Sequence, residues 1–392
     1  MSGPLSFEIL HRCPLSRARM GRVTTPHGSF DTPAFMPVGT RASVKGLTPE
    51  QVRGTGSQII LNNAYHLMLR PGPELIRRRG GCHRFMRWDG PILTDSGGYQ
   101  AFSMSDISRI TEDGVTFRSV VDGSPVHLSP ERSMEVQNDL GADIIMAFDD
   151  CPPAAEGGAT AEDRARVQAA CERTIRWLER CVRTHQRPDE QALFGIVQGG
   201  VHPDLRQRSA SQVCGIDLPG YAVGGVAVGE GTAAIARVVE FTAPFLPQNK
   251  PRYLMGVGYE RDLVMAVRAG VDMFDCVLPT RNGRNGTAFT RAGRINLRNA
   301  RFSEDDGPVD PACDCSTCSG GFSRAYLRHL FTVGEMLGPI LLSVHNIRHF
   351  QRLMLDVRRA VRENGWSSLE RDWPVLSDPV AGSAEAGPAR SR

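Results

Sequence analysis

The chain has 392 residues, 41% of them hydrophobic, with 46 basic against 43 acidic side chains for a formal charge of +3. That is enough material for a large buried core, arranged as two domains or as one barrel with insertions, in a soluble globular protein. The start, MSGPLSFEILHRCP, lacks the apolar segment of a secretory signal. No later run approaches the roughly 18 apolar residues of a membrane span. A cytoplasmic protein is expected, and the net charge alone implies no polyanionic partner.

Eight short apolar runs follow one another along the chain: AFMPVG (34–39), IILNN (59–63), PILTDSGG (91–98), IIMAFDD (144–150), LFGIVQGG (193–200), YAVGGV (221–226), RYLMGVG (252–258) and MFDCVLP (273–279). Helical stretches such as EDRARVQAACERTIRWLERCVRTH lie between them. Near-continuous apolar strands alternating with helices predict a parallel sheet covered on its outer face, and eight such units predict an α/β fold of the (β/α)8 TIM-barrel type. A doubly wound open sheet ranks second, because no GxGxxG fingerprint follows an early strand.

The decorations can be placed in order. After the third run, TDSGGYQAFSMSDISRITEDGVTFRSVVDGSPVHLSP resembles a β-hairpin insertion. From residue 281 to 301, arginines recur at 281, 284, 291, 294, 298 and 301 with no acidic residue between them. By itself such a segment reads as a solvated surface, with a phosphate-binding face as the sharper alternative. The barrel with its metal-binding subdomain (about 287–350) is expected to form one domain over 1–376. The tail 377–392, without aromatics or periodicity, is expected to be disordered.

Of ten cysteines, seven are scattered singly, which suits free thiols in a reducing compartment. Cys313, Cys315 and Cys318 are crowded together instead. Their short spacings and odd number oppose mutual pairing and suit a tetrahedral zinc ion. A fourth ligand would come from His329, His345 or His349. Such a closed set leaves no open position, so the zinc would be structural.

Most of the apolar runs turn polar or glycine-rich at their C-terminal ends, the rim from which barrel enzymes assemble their sites. Asp95, Asp149 and Asp275 would then face one mouth. A single carboxylate at a strand end is often only a cap or turn residue. Three together suit chemistry in which one carboxylate attacks an anomeric carbon while a second handles protons. Ser96 lacks the G-x-S-x-G frame of a nucleophile and reads as a hydrogen-bonding residue. The glycine pairs 199–200 and 224–225 fit either plain turns or the close approach of a flat ligand.

Seven motifs in order carry a resemblance: TDSGGYQ (94–100), FDDC (148–151), FGIVQGG (194–200), YAVGGVAVGE (221–230), YLMGVG (253–258), MFDCVLPTRNGRNG (273–286) and CDCSTC with a later HN pair (313–346). From about Phe7 to about Trp373 the chain resembles the queuine tRNA-ribosyltransferases, also called tRNA-guanine transglycosylases. The resemblance implies a barrel with a zinc subdomain, exchanging guanine at the wobble position of a tRNA anticodon loop for a 7-deazaguanine base. It implies Asp275 as nucleophile at ribose C1′ and Asp95 as general acid/base. Asp149, Gln198, Gly225 and Ser96 would read the base, with Tyr99 and Met255 sandwiching it. Cys313, Cys315, Cys318 and His345 would hold Zn2+.

The arginines at 281 and 284 then gain a role on tRNA phosphates and neighbouring bases, and the sharper reading of that segment prevails. Val228 and Cys151 match bacterial forms, which use 7-aminomethyl-7-deazaguanine. The chain departs from that pattern at Asp150 and Val226, and one extra residue separates Cys318 from His345. The family pairs as a homodimer through its zinc region, which makes Tyr326 and His329 contact candidates. Two rival readings are a zinc-dependent barrel hydrolase of small molecules and an inactive RNA-binding partner subunit.

Overall fold

In the computed structural model, which describes residues 3–100, 107–154 and 160–377, the eight apolar runs are the eight strands of a closed parallel barrel. Ahead of it, β1 (Ser6–Arg12), β2 (Arg19–Thr25) and β3 (Gly28–Thr32) form an antiparallel sheet. The barrel begins with β4 (Ala34–Gly39), β5 (Ile60–Asn62) and β6 (Ile92–Thr94). A separate antiparallel sheet follows, made of β7 (Ile107–Ile110), β8 (Val115–Arg118) and β9 (Pro125–Leu128). The expected hairpin therefore has a third strand, and the expectation for 101–106 lies outside the described residues, as does the tail beyond Ser377.

Strands β10 (Ile144–Met146), β11 (Ala192–Val197), β12 (Gly220–Val223), β13 (Arg252–Leu254) and β14 (Met273–Cys276) complete the ring. It closes where β14 pairs in parallel with β4, Asp275 standing opposite Met36. The hairpin β15 (Thr287–Thr290) and β16 (Gly293–Asn296) then precedes the cysteine loop.

The pleat explains how apolar strands deliver polar residues to one end. Successive side chains alternate between the barrel interior and the helix-covered outside. On β14, Met273 joins the inner core and Phe274 the outer one, so Asp275 points inward one layer above Met273. The same count places Asp95 two residues past inward Leu93, and Gln198 two past inward Ile196. Each apolar side chain buried in these layers contributes about 1.5–3 kcal/mol.

The opposite end is a different environment. Val23 and Phe30 of the N-terminal sheet close it by joining the interior cluster. There Asp272, fully buried, accepts from Arg19 Nε (2.9 Å), Arg19 Nη2 (2.6 Å) and the Arg252 backbone N–H (2.7 Å). Asp143 likewise accepts the N–H groups of Ile92 (2.8 Å) and His27 (3.2 Å) and meets the rings of His27 and His83. These carboxylates tie strand starts together at the end of the barrel away from the mouth.

A 27-residue helix, Leu337–Glu363, packs along the seam. Gln351 on it donates to the Phe35 carbonyl of β4 (2.9 Å), joining the C-terminal region to the first barrel strand.

Candidate active site at the barrel mouth

Asp95, Asp149 and Asp275 come from three strand ends and meet at one opening. Asp95 is 7% exposed and Asp149 5%. Burial is the largest influence on Asp95 and pushes its carboxyl up to about 7, and the charges of Asp275 and Asp149 push the same way. Against this, the Ala64 backbone N–H donates to its Oδ1 (2.8 Å) and the Asn63 amide to its Oδ2 (2.6 Å). Asp95 is thus an acid poised to give or take a proton at neutral pH.

Asp275 differs in kind. Burial raises its carboxyl too, but the Tyr253 hydroxyl (2.5 Å) and the Gly256 N–H (2.8 Å) both donate to Oδ1 and favour the charged form. Among the described residues Oδ2 accepts no hydrogen bond, which leaves it available for attack. Burial raises both carboxyls, but only Asp275 takes a tyrosine hydroxyl against that rise, and two carboxyls in unlike surroundings at one opening suit the division of labour between a nucleophile and a general acid.

Asp149 is joined to the third element of the mouth. Gln198 donates to its Oδ2 (2.6 Å) and Ser96 to its Oδ1 (3.3 Å), while burial raises it to about 7. Gly225 sits against Gln198 at φ +61°, where a Cβ would lie 2.2 Å from Gln198 Oε1. Only glycine fits there. Tyr99 is 43% exposed at the rim, its hydroxyl raised by burial and by Cys151 and Glu230. Met255 packs on the inner core beside Tyr253. A cavity of about 300 Å³ continues outward from Gln198 and Gly225 past Val228 and Glu230.

Of the residues expected to read a base, Gln198 and Gly225 line this cavity, and Asp149 and Ser96 are joined to Gln198 by hydrogen bonds. Asp150, where the chain departs from the family pattern, turns away: its backbone N–H donates to Thr174 (3.0 Å) and its carboxylate pairs with Arg173. Val226 is buried.

Arg281 and Arg284 lie on the short helix Leu278–Arg284 directly after β14. Neither forms an ion pair among the described residues, and burial together with Arg281 lowers Arg284. Other arginines of the segment are occupied internally. Arg291 approaches Asp356 (3.7 Å) and stacks over Trp373, and Arg298 donates to the carbonyls of Asn285 and Phe331.

Two residues in this site carried no role in the sequence reading. Tyr253 stands only as a member of the run RYLMGVG, although its place on the strand beside Asp275 is a usable signal. Asn63 was visible only as a polar strand end.

Beside the barrel, Cys313, Cys315, Cys318 and His345 bring their ligand atoms within 4.8 Å of one another. His345 Nε2 lies 2.8 Å from the Phe289 carbonyl and donates to it, which leaves the Nδ1 lone pair facing Cys318 (3.3 Å) and Cys315 (3.6 Å). An N···S edge of about 3.5 Å is what a tetrahedral zinc ion demands, so the donors fit. The extra residue after Cys318 does not disturb this convergence. Of the other histidines, His349 is buried against Glu260 (2.7 Å) and His329 is exposed.

The metal cluster is mechanically linked to the mouth. Asn346, next to His345, donates to the carbonyls of Pro279 (3.0 Å) and Thr287 (2.9 Å) and accepts from the Phe289 N–H (3.0 Å). These bonds brace the segment that carries Arg281 and Arg284.

Comparison with known proteins agrees with this geometry. The family model described as Queuine tRNA-ribosyltransferase matches residues 13–374. The chain is 52% identical over 376 residues to a Queuine tRNA-ribosyltransferase of Cyanothece sp., covering 96% of this chain and 97% of the relative. Counterparts from Bacillus cytotoxicus (54% over 360 residues, 92% and 93% covered) and Synechococcus elongatus (54% over 355 residues, 91% of each) bear the same name. Carboxylates gathered at one barrel mouth, and a family match over nearly the whole chain, lead to one assignment: the chain belongs to the queuine tRNA-ribosyltransferase family of glycosyl-transferring enzymes.

Proposed function

We propose that this protein exchanges guanine at the anticodon wobble position of tRNA for 7-aminomethyl-7-deazaguanine, by a retaining double displacement. The observation that carries the reading is two neighbouring buried carboxyls in unlike surroundings: burial raises both, Asp95 to about 7, while the Tyr253 hydroxyl and the Gly256 N–H oppose the rise of Asp275.

Oδ2 of Asp275 attacks C1′ as the C1′–N9 bond of guanine breaks. Asp95 gives its proton to the departing base, leaving a ribosyl ester on Asp275 and a carboxylate at Asp95. Asp95 then removes the N9 proton of the incoming base, whose nitrogen displaces Asp275. Two inversions give net retention.

The base is read at its edge by Asp149, Gln198 and Gly225, with Ser96 beside them, and stacked between Tyr99 and Met255. A base in a single-stranded loop can be everted at modest cost, which suits an anticodon substrate. Arg281 and Arg284 hold flanking phosphates. Val228 at the cavity wall crowds larger 7-substituents and favours the aminomethyl base.

Cys313, Cys315, Cys318 and His345 hold a structural Zn2+ ion that supplies folding stability and no step of the reaction. With four protein donors there is no open position for the hydrolase alternative. Residues 1–376 act as one domain, and the active form is a cytoplasmic homodimer contacting through the metal region, where Tyr326 and His329 are exposed.

The test is incorporation of labelled guanine into unmodified tRNA, with the deazaguanine as competitor. Asp275→Ala should form no covalent tRNA adduct in denaturing gels, and an adduct that persists in that variant refutes the assignment of the nucleophile.

A further inference from the structure

Arg206 lies on the helix Pro203–Cys214, immediately behind the base-reading strand ends, and is 1% exposed. A guanidinium so deeply buried ordinarily meets a carboxylate. Among the described residues this one pairs with none. Its four hydrogen bonds go to main-chain carbonyls: Nε to Gly200 (2.7 Å), Nη1 to Val197 (3.1 Å) and Gly224 (2.7 Å), and Nη2 to Gly225 (2.8 Å). Four of the five N–H groups of an arginine are thereby used on two loops, the ends of β11 and β12.

The Val197 carbonyl also accepts the Gly224 N–H (3.0 Å), but the glycine carbonyls belong to irregular backbone outside the strand ladder. Gly199, Gly200 and Gly225 have φ of +139°, +53° and +61°, turns too tight for regular pairing. The glycines and the arginine also pack as one unit, since a Cβ on Gly199 would lie 2.7 Å from the Arg206 nitrogen.

The consequence for the mouth follows from peptide planarity. In a trans peptide the C=O and the following N–H point in opposite directions. Pinning the Gly224 carbonyl down onto Arg206 turns the Gly225 N–H the other way, onto the Cys151 thiol two residues past Asp149. We propose that Arg206 is a positioning residue for base recognition, its planar fork holding the Gly224–Gly225 turn and the Gln198 strand end in register so that the wall of the base-reading mouth keeps one shape. The inference rests on the proposed exchange reaction. Lysine cannot substitute, because a point charge on a flexible stem does not span carbonyls from two loops.

The experiment measures steady-state guanine exchange in the wild type, Arg206→Ala and Arg206→Lys, with the concentrations of free base and of tRNA varied separately. Both variants should raise the KM for the base by at least about tenfold while the KM for tRNA changes little, the selective loss expected from a misshapen base-reading wall. Millimolar guanidinium should restore base affinity to Arg206→Ala, and methylammonium should not. Near-UV circular dichroism checks folding; if the alanine variant does not fold, the lysine variant carries the comparison. An unchanged base KM in a folded variant overturns the proposal. So does guanidinium that raises only the melting temperature. A wild type that exchanges no guanine at all is a separate outcome, which refutes the function itself.

Discussion

Changing Tyr253 to phenylalanine removes one oxygen from the barrel interior and keeps the ring, 1% exposed, in its place. That oxygen is one of two donors holding the charged form of Asp275 against the burial that raises it. A hydrogen bond to a charged group contributes about 1.5–3 kcal/mol, so its loss lowers the ionised fraction on the acid side by about 10- to 100-fold. The acid limb of kcat/KM therefore moves to higher pH. The basic limb, set by Asp95 at about 7, stays where it is. The assay is labelled-guanine exchange followed from about pH 5 to about pH 9 in wild type and Tyr253→Phe. The ratio of rates should be largest at low pH and shrink as pH rises, because once Asp275 is ionised in both proteins the missing donor no longer limits its charge. A constant ratio at every pH, or an acid limb that does not move, would refute the view that Tyr253 sets the ionisation of the nucleophile.

Other outcomes are equally specific. Asp149→Asn is tolerated sterically, since Ser96 can rotate to accept the new amide. The native state holds the Asp149 proton to about pH 7 while an ordinary carboxyl releases it near 3.8, so stability falls as pH rises through that window. The asparagine variant should therefore match the wild type near pH 4 and exceed it above pH 7, by at most about 4 kcal/mol in urea unfolding, while binding guanine more weakly. Asp272→Ala leaves the Arg19 guanidinium buried without its partner and should cost about 3–5 kcal/mol in urea unfolding, with the KM for the base unchanged in the folded fraction. Cys318→Ser should lower both the metal content measured by mass spectrometry and the melting temperature; retention of one tightly held ion per chain would argue against the four-ligand site.

The barrel was legible because parallel strands covered on both faces must be apolar throughout, and each of the eight runs is such a strand. The site was legible in part for the same reason: a polar residue ending an apolar run stands out. Ser6–Thr32 did not announce its sheet, since its seal over the barrel end depends on partners distant in sequence. Asp272 and Asp275 show a further limit. They are the same residue type three positions apart, one just before β14 and one on it, yet the first is locked to Arg19 and the second stands at the mouth. Inward Asp275 and downward Asp272 become distinguishable only when neighbouring strands supply Tyr253 and Arg19. Likewise, the arginine run looked uniform, and only packing against Trp373 and Phe331 separates Arg291 and Arg298 from Arg281 and Arg284.

The closing of the ring between its first and last strands has a consequence for biosynthesis. Asp95 and Asp149 leave the ribosome well before Asp275, and until β14 can pair with β4 both strands present raw edges. The growing polypeptide therefore carries its proton donor long before it owns a nucleophile. Chemical competence arrives in a late step, when the helix bearing Gln351 folds back over the seam and joins the newest part of the chain to the oldest.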